Sequence, residues 1–268
     1  MGPSGQEKKA VYKKSLSFAE PIKLPYQGVI LTHKLVLMRH YYSSEARQLL
    51  AVDCVIFGFD NQDLKLLLIK RDMDPGRGIW SLMGGFPRRD ESLDQAANRV
   101  LHQLTGLHDV YLEQLYAYGD VDRDPGERVV SVAYYALIRI EDFDKDLVSV
   151  YDARWCRISD IPELVFDHRQ MVDKALRRLR RRARIQPIGF ELLPEAFTLP
   201  KLQALYEAIY QKELDKRNFR KKILSMDLLD KLEEKDKTNS KKGAWLYRFN
   251  PEKYKELIAN GFYFSVDV

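Results

Sequence analysis

The chain has 268 residues, 45% of them apolar and 31% charged, with a formal net charge of +5. That is enough apolar sequence for two modest packed domains, and the mild basic excess permits an acidic partner without requiring one. The two cysteines, Cys54 and Cys156, exclude a cysteine metal spacing, and no run approaches the ~18 apolar residues of a membrane helix.

Two isolated thiols fit a reducing cytoplasm, and the polar N-terminus lacks the apolar core of a signal peptide. Residues 1–37 carry no sustained period. They read equally as a loose extension, as sequence upstream of a natural start at Met38, or as a structural arm, in which GVILTHKLVLM makes a short strand or a fragment of helix. From Leu49 the pattern sharpens. The apolar run LLAVDCVIFGF predicts a strand, DNQD a turn and LKLLLIKR a second strand. DMDPGRG is a loop, and IWSLMGGF is a short strand ending in a glycine pair. Ser92 and Gln95 form a capping box, and Leu93, Ala96, Ala97, Val100, Leu101 and Leu104 recur behind it at helical spacing. VYLEQLYAYG and VVSVAYYALIRI predict strands on either side of the charged loop DVDRDPGER. ARWCRIS adds another strand, and PELVFDHRQMVDKALRRLRRRA turns helical after its first residues. The order β-β-β-α-β-β-β-α describes a mixed sheet with helices on its faces.

Composition resets at IQPIGFELLPEAFTLPKL, where Pro187 and Gly189 mark a linker or a domain start. Thr198 can cap a helix with Leu202, Leu205, Tyr206, Ile209 and Tyr210 on one side. Asp215 can cap a second, with Phe219, Ile223 and Met226 at i, i+4 and i+7. About four residues separate the two, a helix-turn-helix spacing. LLDKLEEKDK and AWLYRFN then flank TNSKKG, and the alternation of Trp245, Tyr247 and Phe249 predicts a strand hairpin with a basic tip. Two helices followed by a hairpin make a winged helix-turn-helix.

Four groups of residues bear chemistry. With Phe219 at the centre of the core face and about 100° per residue, Arg217 and Lys221 point nearly opposite, with Asn218 and Arg220 at the flanks. Arg reads guanine and Asn reads adenine in a major groove, so Lys216, Arg217, Asn218, Arg220 and Lys221 are candidate DNA-binding residues. Lys241 and Lys242 at the hairpin tip reach for phosphate. The run Arg177, Arg178, Arg180, Arg181, Arg182 and Arg184 is either a solvated face or a second backbone contact. In the loop GDVDRDPGERVV, the turn Asp124-Pro125-Gly126 and the interspersed arginines argue against a metal site. Asp122, Arg123, Asp124, Glu127 and Arg128 are candidate ligand-binding residues for a polyhydroxy molecule, whose hydroxyls both donate and accept; an ordinary solvated loop needs no ligand.

The stretch GGFPRRDESLDQAANRVLHQLTGL has the frame of a Nudix box, with Gly85, Glu91, Arg99, Leu101, Gly106 and Leu107 in register. The glutamates that should follow Arg99 are Val100, Gln103 and Leu104. Helical positions i, i+3 and i+4 share a face, but two of these side chains offer no ligand atom and Gln103 only a neutral carbonyl, which a hard divalent cation does not favour. No catalytic residues and no metal or other cofactor are expected. Glu91 and Arg99 read as a structural pair across the loop-helix junction.

Together with DVDRDPGERVVSVAYYALI, LVFDH and LDKRNFRKKI, this box resembles the Nudix-related transcriptional regulators of bacteria, over residues 38–250. The resemblance implies an α/β/α Nudix sandwich with a mixed sheet over residues 38–184, sensing a small molecule, and a winged helix over 185–268 that binds double-stranded operator DNA. It also implies a cytoplasmic homodimer with no membrane segment. YYSS, IFGF and WSLMGGF are similar to the arabinose-responsive AraR branch of Bacteroidetes, which implies a pentose effector, L-arabinose first, in carbohydrate metabolism, and a repressor. The alternatives are an ADP-ribose-responsive regulator of NAD metabolism, a residual Nudix hydrolase, and a DNA-binding protein whose Nudix domain only dimerises.

Overall fold

The computed structural model describes residues 44–108, 110–142, 151–238 and 242–266. The extension 1–37, the tip residue Lys241 and the side chain of Leu104 lie outside the described residues.

The first part of the chain folds as β1 Leu49–Phe59, β2 Leu64–Lys70, β3 Trp80–Ser81, β4 Met83–Gly85, α1 Leu93–Thr105, β5 Tyr111–Tyr118, β6 Val129–Arg139, β7 Ala153–Arg157 and α2 His168–Ile185. The sheet runs β3-β2-β1-β6-β5, with β4 also on β1 and β7 also on β2. β1 and β6 pair in parallel from Leu49↔Val129 to Phe59↔Arg139, and the remaining pairs are antiparallel. The mixed sheet with helices on both faces is therefore the observed architecture. One element differs from expectation. IWSLMGGF is two strands, because Trp80–Ser81 continue onto β2 while Met83–Gly85 cross to β1.

β1 and β6 read as unbroken apolar runs because both their faces are covered. Side chains alternate across a strand, so Val52, Cys54 and Ile56 face Ala96, Ala97 and Val100 of α1. Val55, Phe57 and Phe59 face Met171, Ala175 and Leu179 of α2. Cys54 and Cys156 are buried free thiols, and burial pushes the Cys54 thiol up. α1 begins with the capping box, Ser92 accepting from the Gln95 amide and Gln95 from that of Ser92, and ends at Gly106 with φ 71°.

The second part comprises β8 Phe197–Thr198, α3 Leu199–Tyr210, α4 Lys216–Ser225, β9 Leu229–Asp236, β10 Ala244–Phe249 and α5 Pro251–Ala259, with sheet order β8-β10-β9. Thr198 caps α3 and Asp215 caps α4 through their side chains. Phe219, Ile223 and Met226 are buried, and the Phe219 ring lies 5.4 Å from that of Tyr206. In the hairpin the regular alternation fails: a register shift between Trp245 and Tyr247 leaves Tyr247 buried and Trp245 exposed beneath Lys231 and Lys235. The apolar cluster on the α2 side of the sheet runs without a break into Leu202, Tyr206 and Phe219. Arg180 donates from Nε to the Ile209 carbonyl at 2.9 Å, and the Val266 amide donates to the Arg184 carbonyl at 3.0 Å. The winged helix is thus packed on α2.

Candidate functional site

At the box, Arg99 grips Glu91 from Nε at 2.6 Å and from Nη2 at 2.9 Å, and Nη2 also donates to the Phe86 carbonyl at 3.1 Å. The Glu91 carboxylate further accepts from the Arg88 amide. The hydrogen bonds from Arg99 hold Glu91 down to about 2. Gln103 is exposed and accepts from Arg99 at 3.5 Å. Val100 is buried beneath Gly85, where an added Cβ would stand 3.3 Å from its Cγ2. The pair is structural, as the sequence predicts, and this donor set does not fit a divalent cation. Among the described residues no group of three His, Cys, Asp or Glu side chains is placed to hold one.

A cavity of about 670 Å³ opens beside the box, within the range of small-molecule sites. Its lining includes buried polar and charged residues. Asp53 occupies a β1 position on the α2 face and is only 7% exposed. Its Oδ2 accepts from Ser131 Oγ of β6 at 2.5 Å. The neighbouring strand position is Gly84, where a Cβ would collide with the Asp53 carboxylate and stand 2.9 Å from the Val52 carbonyl. That is why the glycine pair closes β4. Arg123 is buried and makes a two-pronged bond to Asp167, Nε to Oδ2 at 2.8 Å and Nη2 to Oδ1 at 2.7 Å, with Nη2 3.9 Å from Asp53 Oδ2. Removing one partner of so buried a pair strands a charge, which typically costs about 3–5 kcal/mol. His168 opens α2. Its Nδ1 accepts from the Leu82 amide at 3.1 Å, and its Nε2 faces Asp53 Oδ1 at 3.7 Å. Burial holds the imidazole below its ordinary value, so the ring is neutral with its proton on Nε2.

The outer wall is different in kind. Lys70, Arg71 and Arg77 line it together with the carboxylates of Asp72 and Asp152, and Phe86 and Met73 are each 54% exposed at the rim. Arg71 is fixed by a bond to the Pro75 carbonyl at 2.7 Å and lies over the Phe166 ring at 5.2 Å. Phe166 has φ 54°, an unfavourable region for a bulky residue, and this turn delivers His168 to the cavity. An apolar rim, a wall of mixed charge that includes three cations and a hydrogen-bonding floor can take an elongated ligand that carries both anionic groups and hydroxyls.

The loop residues predicted to bind ligand divide. Arg123 and Asp124 line the cavity, but Arg123 is spent on Asp167 and Asp124 accepts from the Gly126 amide at 2.8 Å. Asp122 and Glu127 are exposed, and Arg128 donates to the Asp120 carbonyl at 3.0 Å; none of these three lines the cavity. The loop is a braced turn whose two inward charges, Arg123 and Asp124, are bonded within the protein. Sequence reasoning missed Asp53, Asp167 and His168. A lone carboxylate inside the apolar run LLAVDCVIFGF is the available signal.

Lys216, Arg217, Asn218, Arg220 and Lys221 are all exposed on α4, Arg217 and Lys221 opposite the buried Phe219, Asn218 and Arg220 at the flanks and Lys216 in the first turn on the Phe219 side, and Lys242 is exposed at the wing. The arginine run divides: Arg178 and Arg182 pair with Glu113 of β5, at 3.1 and 2.5 Å, and Arg180 binds α3, while Arg177, Arg181 and Arg184 are exposed. Among the described residues no helix is long and apolar enough to cross a membrane.

Residues 47–175 match the NUDIX domain and residues 189–249 the NrtR DNA-binding winged helix domain. The chain is 32% identical over 222 residues to the ADPR responsive transcriptional repressor NtrR of Acinetobacter baylyi, covering 81% of this chain and 88% of that one. The crystal structure of Shewanella oneidensis NrtR complexed with a 27mer DNA superposes with a TM-score of 0.71 at 33% identity, covering 82% of this chain and all of that one. The ADP-ribose pyrophosphatase of Methanocaldococcus jannaschii is 32% identical over 130 residues, 47% of this chain and 72% of that one. None of these relatives supports the arabinose-responsive branch.

Proposed function

The chain belongs to the family of Nudix-related transcriptional repressors that carry an NrtR winged helix, and from that premise we propose that it binds operator DNA through α4 and the wing while its Nudix cavity binds ADP-ribose, which sets operator affinity. The exposure of Arg217 and Lys221 on the outer face of α4, with Lys216, Asn218 and Arg220 exposed around them, carries the DNA half. The effector half draws on the similar repressor named for its response to ADPR and on a cavity of about 670 Å³ that offers Lys70, Arg71 and Arg77 to a diphosphate. ADP-ribose therefore replaces L-arabinose as the effector. Two copies reading a two-fold operator fit this mode of binding.

Hydrolysis of the ligand is not part of the reading. Of the glutamate positions of the box only Glu91 keeps its carboxylate, and Arg99 occupies both its oxygens. The test is anisotropy of a labelled operator duplex titrated with the chain, with and without ADP-ribose. Operator affinity should change at saturating ADP-ribose and not with L-arabinose, and ADP-ribose incubated with the chain and Mg²⁺ should yield no AMP. Sustained AMP release sinks the non-catalytic reading, and an operator affinity indifferent to ADP-ribose sinks the effector.

A further inference from the structure

We propose that Asp53 and His168 read the sugar end of the ligand, taking one hydroxyl of the terminal ribose between Asp53 Oδ1 and His168 Nε2. This rests on the ADP-ribose reading and adds the orientation in which the ligand lies.

Asp53 is more than nine-tenths buried, lines the cavity, and has one committed oxygen. Oδ2 holds Ser131, whereas Oδ1 takes no hydrogen bond among the described residues. His168 Nε2 stands 3.7 Å from Oδ1, beyond bonding length. Oδ1 is not one of the sealed, unpartnered polar atoms; it belongs to a residue that lines the cavity, where a donor can reach it. On the other side of the gap, His168 Nδ1 is occupied by the Leu82 amide, so Nε2 is a donor that also wants a partner. A donor and an acceptor held this far apart fit a group that both gives and takes one hydrogen bond, at about 2.8 Å each. A hydroxyl is such a group. An ionised phosphate has no proton to give and is repelled by the carboxylate. An adenine edge offers a donor and an acceptor, but its flat apolar faces find Phe86 and Met73 exposed at the rim. The cations Lys70, Arg71 and Arg77 belong to the outer wall. Base at the rim, diphosphate beside Lys70, Arg71 and Arg77 and sugar on the floor is the order that these groups favour.

Calorimetry of the full chain with ADP-ribose and with ADP, which lacks the terminal sugar, tests this. The wild-type chain should prefer ADP-ribose about tenfold or more, the size of a hydrogen bond to a charged group. In Asp53→Asn the preference should shrink to about threefold or less while ADP affinity stays within about twofold. A preference that survives in Asp53→Asn, or an equal loss of both ligands, overturns the assignment and leaves the effector reading intact. A wild-type chain that binds neither nucleotide overturns both. If Asp53→Asn does not fold, a crystal structure of the wild-type chain with ADP-ribose decides: a terminal-ribose hydroxyl bridging Asp53 and His168 is expected, and adenine or phosphate at that spot refutes it.

Discussion

Arg99 uses one guanidinium to brace a whole junction. It meets the Glu91 carboxylate with two nitrogens and ties it to the Phe86 carbonyl at the cavity rim. The frame of the Nudix box outlives its chemistry because these contacts need only Glu91 and Arg99, not the glutamates absent from α1. The carboxyl is held down to about 2, from an ordinary 4.5, by the Arg99 hydrogen bonds. A group whose folded value is depressed contributes stability that is present above its ordinary value and lost as pH falls toward the folded one. The loss therefore falls between about pH 4.5 and 2. Carbon-detected NMR of the Glu91 carboxyl should give a midpoint near 2 in the wild-type chain and a return toward 4.5 in Arg99→Ala. A midpoint that stays depressed in the variant would mean that the Arg88 amide, not Arg99, sets it.

α4 shows how much a single element can carry on neighbouring residues. Arg217 is exposed and Phe219, two positions on, is buried at 6% against Tyr206. Arg217→Ala should cost about 1–3 kcal/mol on the cognate operator if its guanidinium makes a two-pronged base contact, and less on random duplex. Equal losses in the two anisotropy titrations would remove Arg217 from sequence readout. Elements of this kind were legible because their signals are local: Thr198, Ser92 and Asp215 cap where they stand, and apolar residues recur within a few turns. α5 is legible too, since Asn250 caps it and Pro251 opens it, yet a reading that ends at the hairpin passes over it. The split of IWSLMGGF into β3 and β4 was not legible, because each half is defined by the strand it pairs with. The same holds for the cavity. Asp53, Ser131 and His168 are 78 and 37 residues apart along the chain, and only the parallel pairing of β1 with β6 and the docking of α2 bring them together. The loop Asp122–Arg128 attracted attention by charge density, but charges on a turn are satisfied by the turn itself, as Asp124 and Arg128 are.

At the scale of the molecule, α2 touches both ends of the proposed switch. His168 at its start lines the cavity, and Asp167 just before it holds Arg123. Twelve residues on from His168, Arg180 donates to the Ile209 carbonyl near the end of α3. That carbonyl lies in the last turn of α3, where no helical amide remains to bind it. The link is charge-assisted and partly buried, the stronger class of hydrogen bond. If ADP-ribose biases the winged helix through α2, then coupling must run in both directions by the same factor. Arg180→Ala should leave ADP-ribose affinity within about twofold, because the residue is remote from the cavity, while reducing the ratio of operator affinities with and without ADP-ribose by about half or more of its logarithm. Arg181→Ala, exposed on the same turn, should leave that ratio unchanged. The measurement is a square of four titrations for each variant: ligand with and without operator, and operator with and without ligand. An unaltered ratio in Arg180→Ala would sink the α2 route. A ratio that falls equally in both variants would point to a general loosening of α2, and not to the Arg180–Ile209 link.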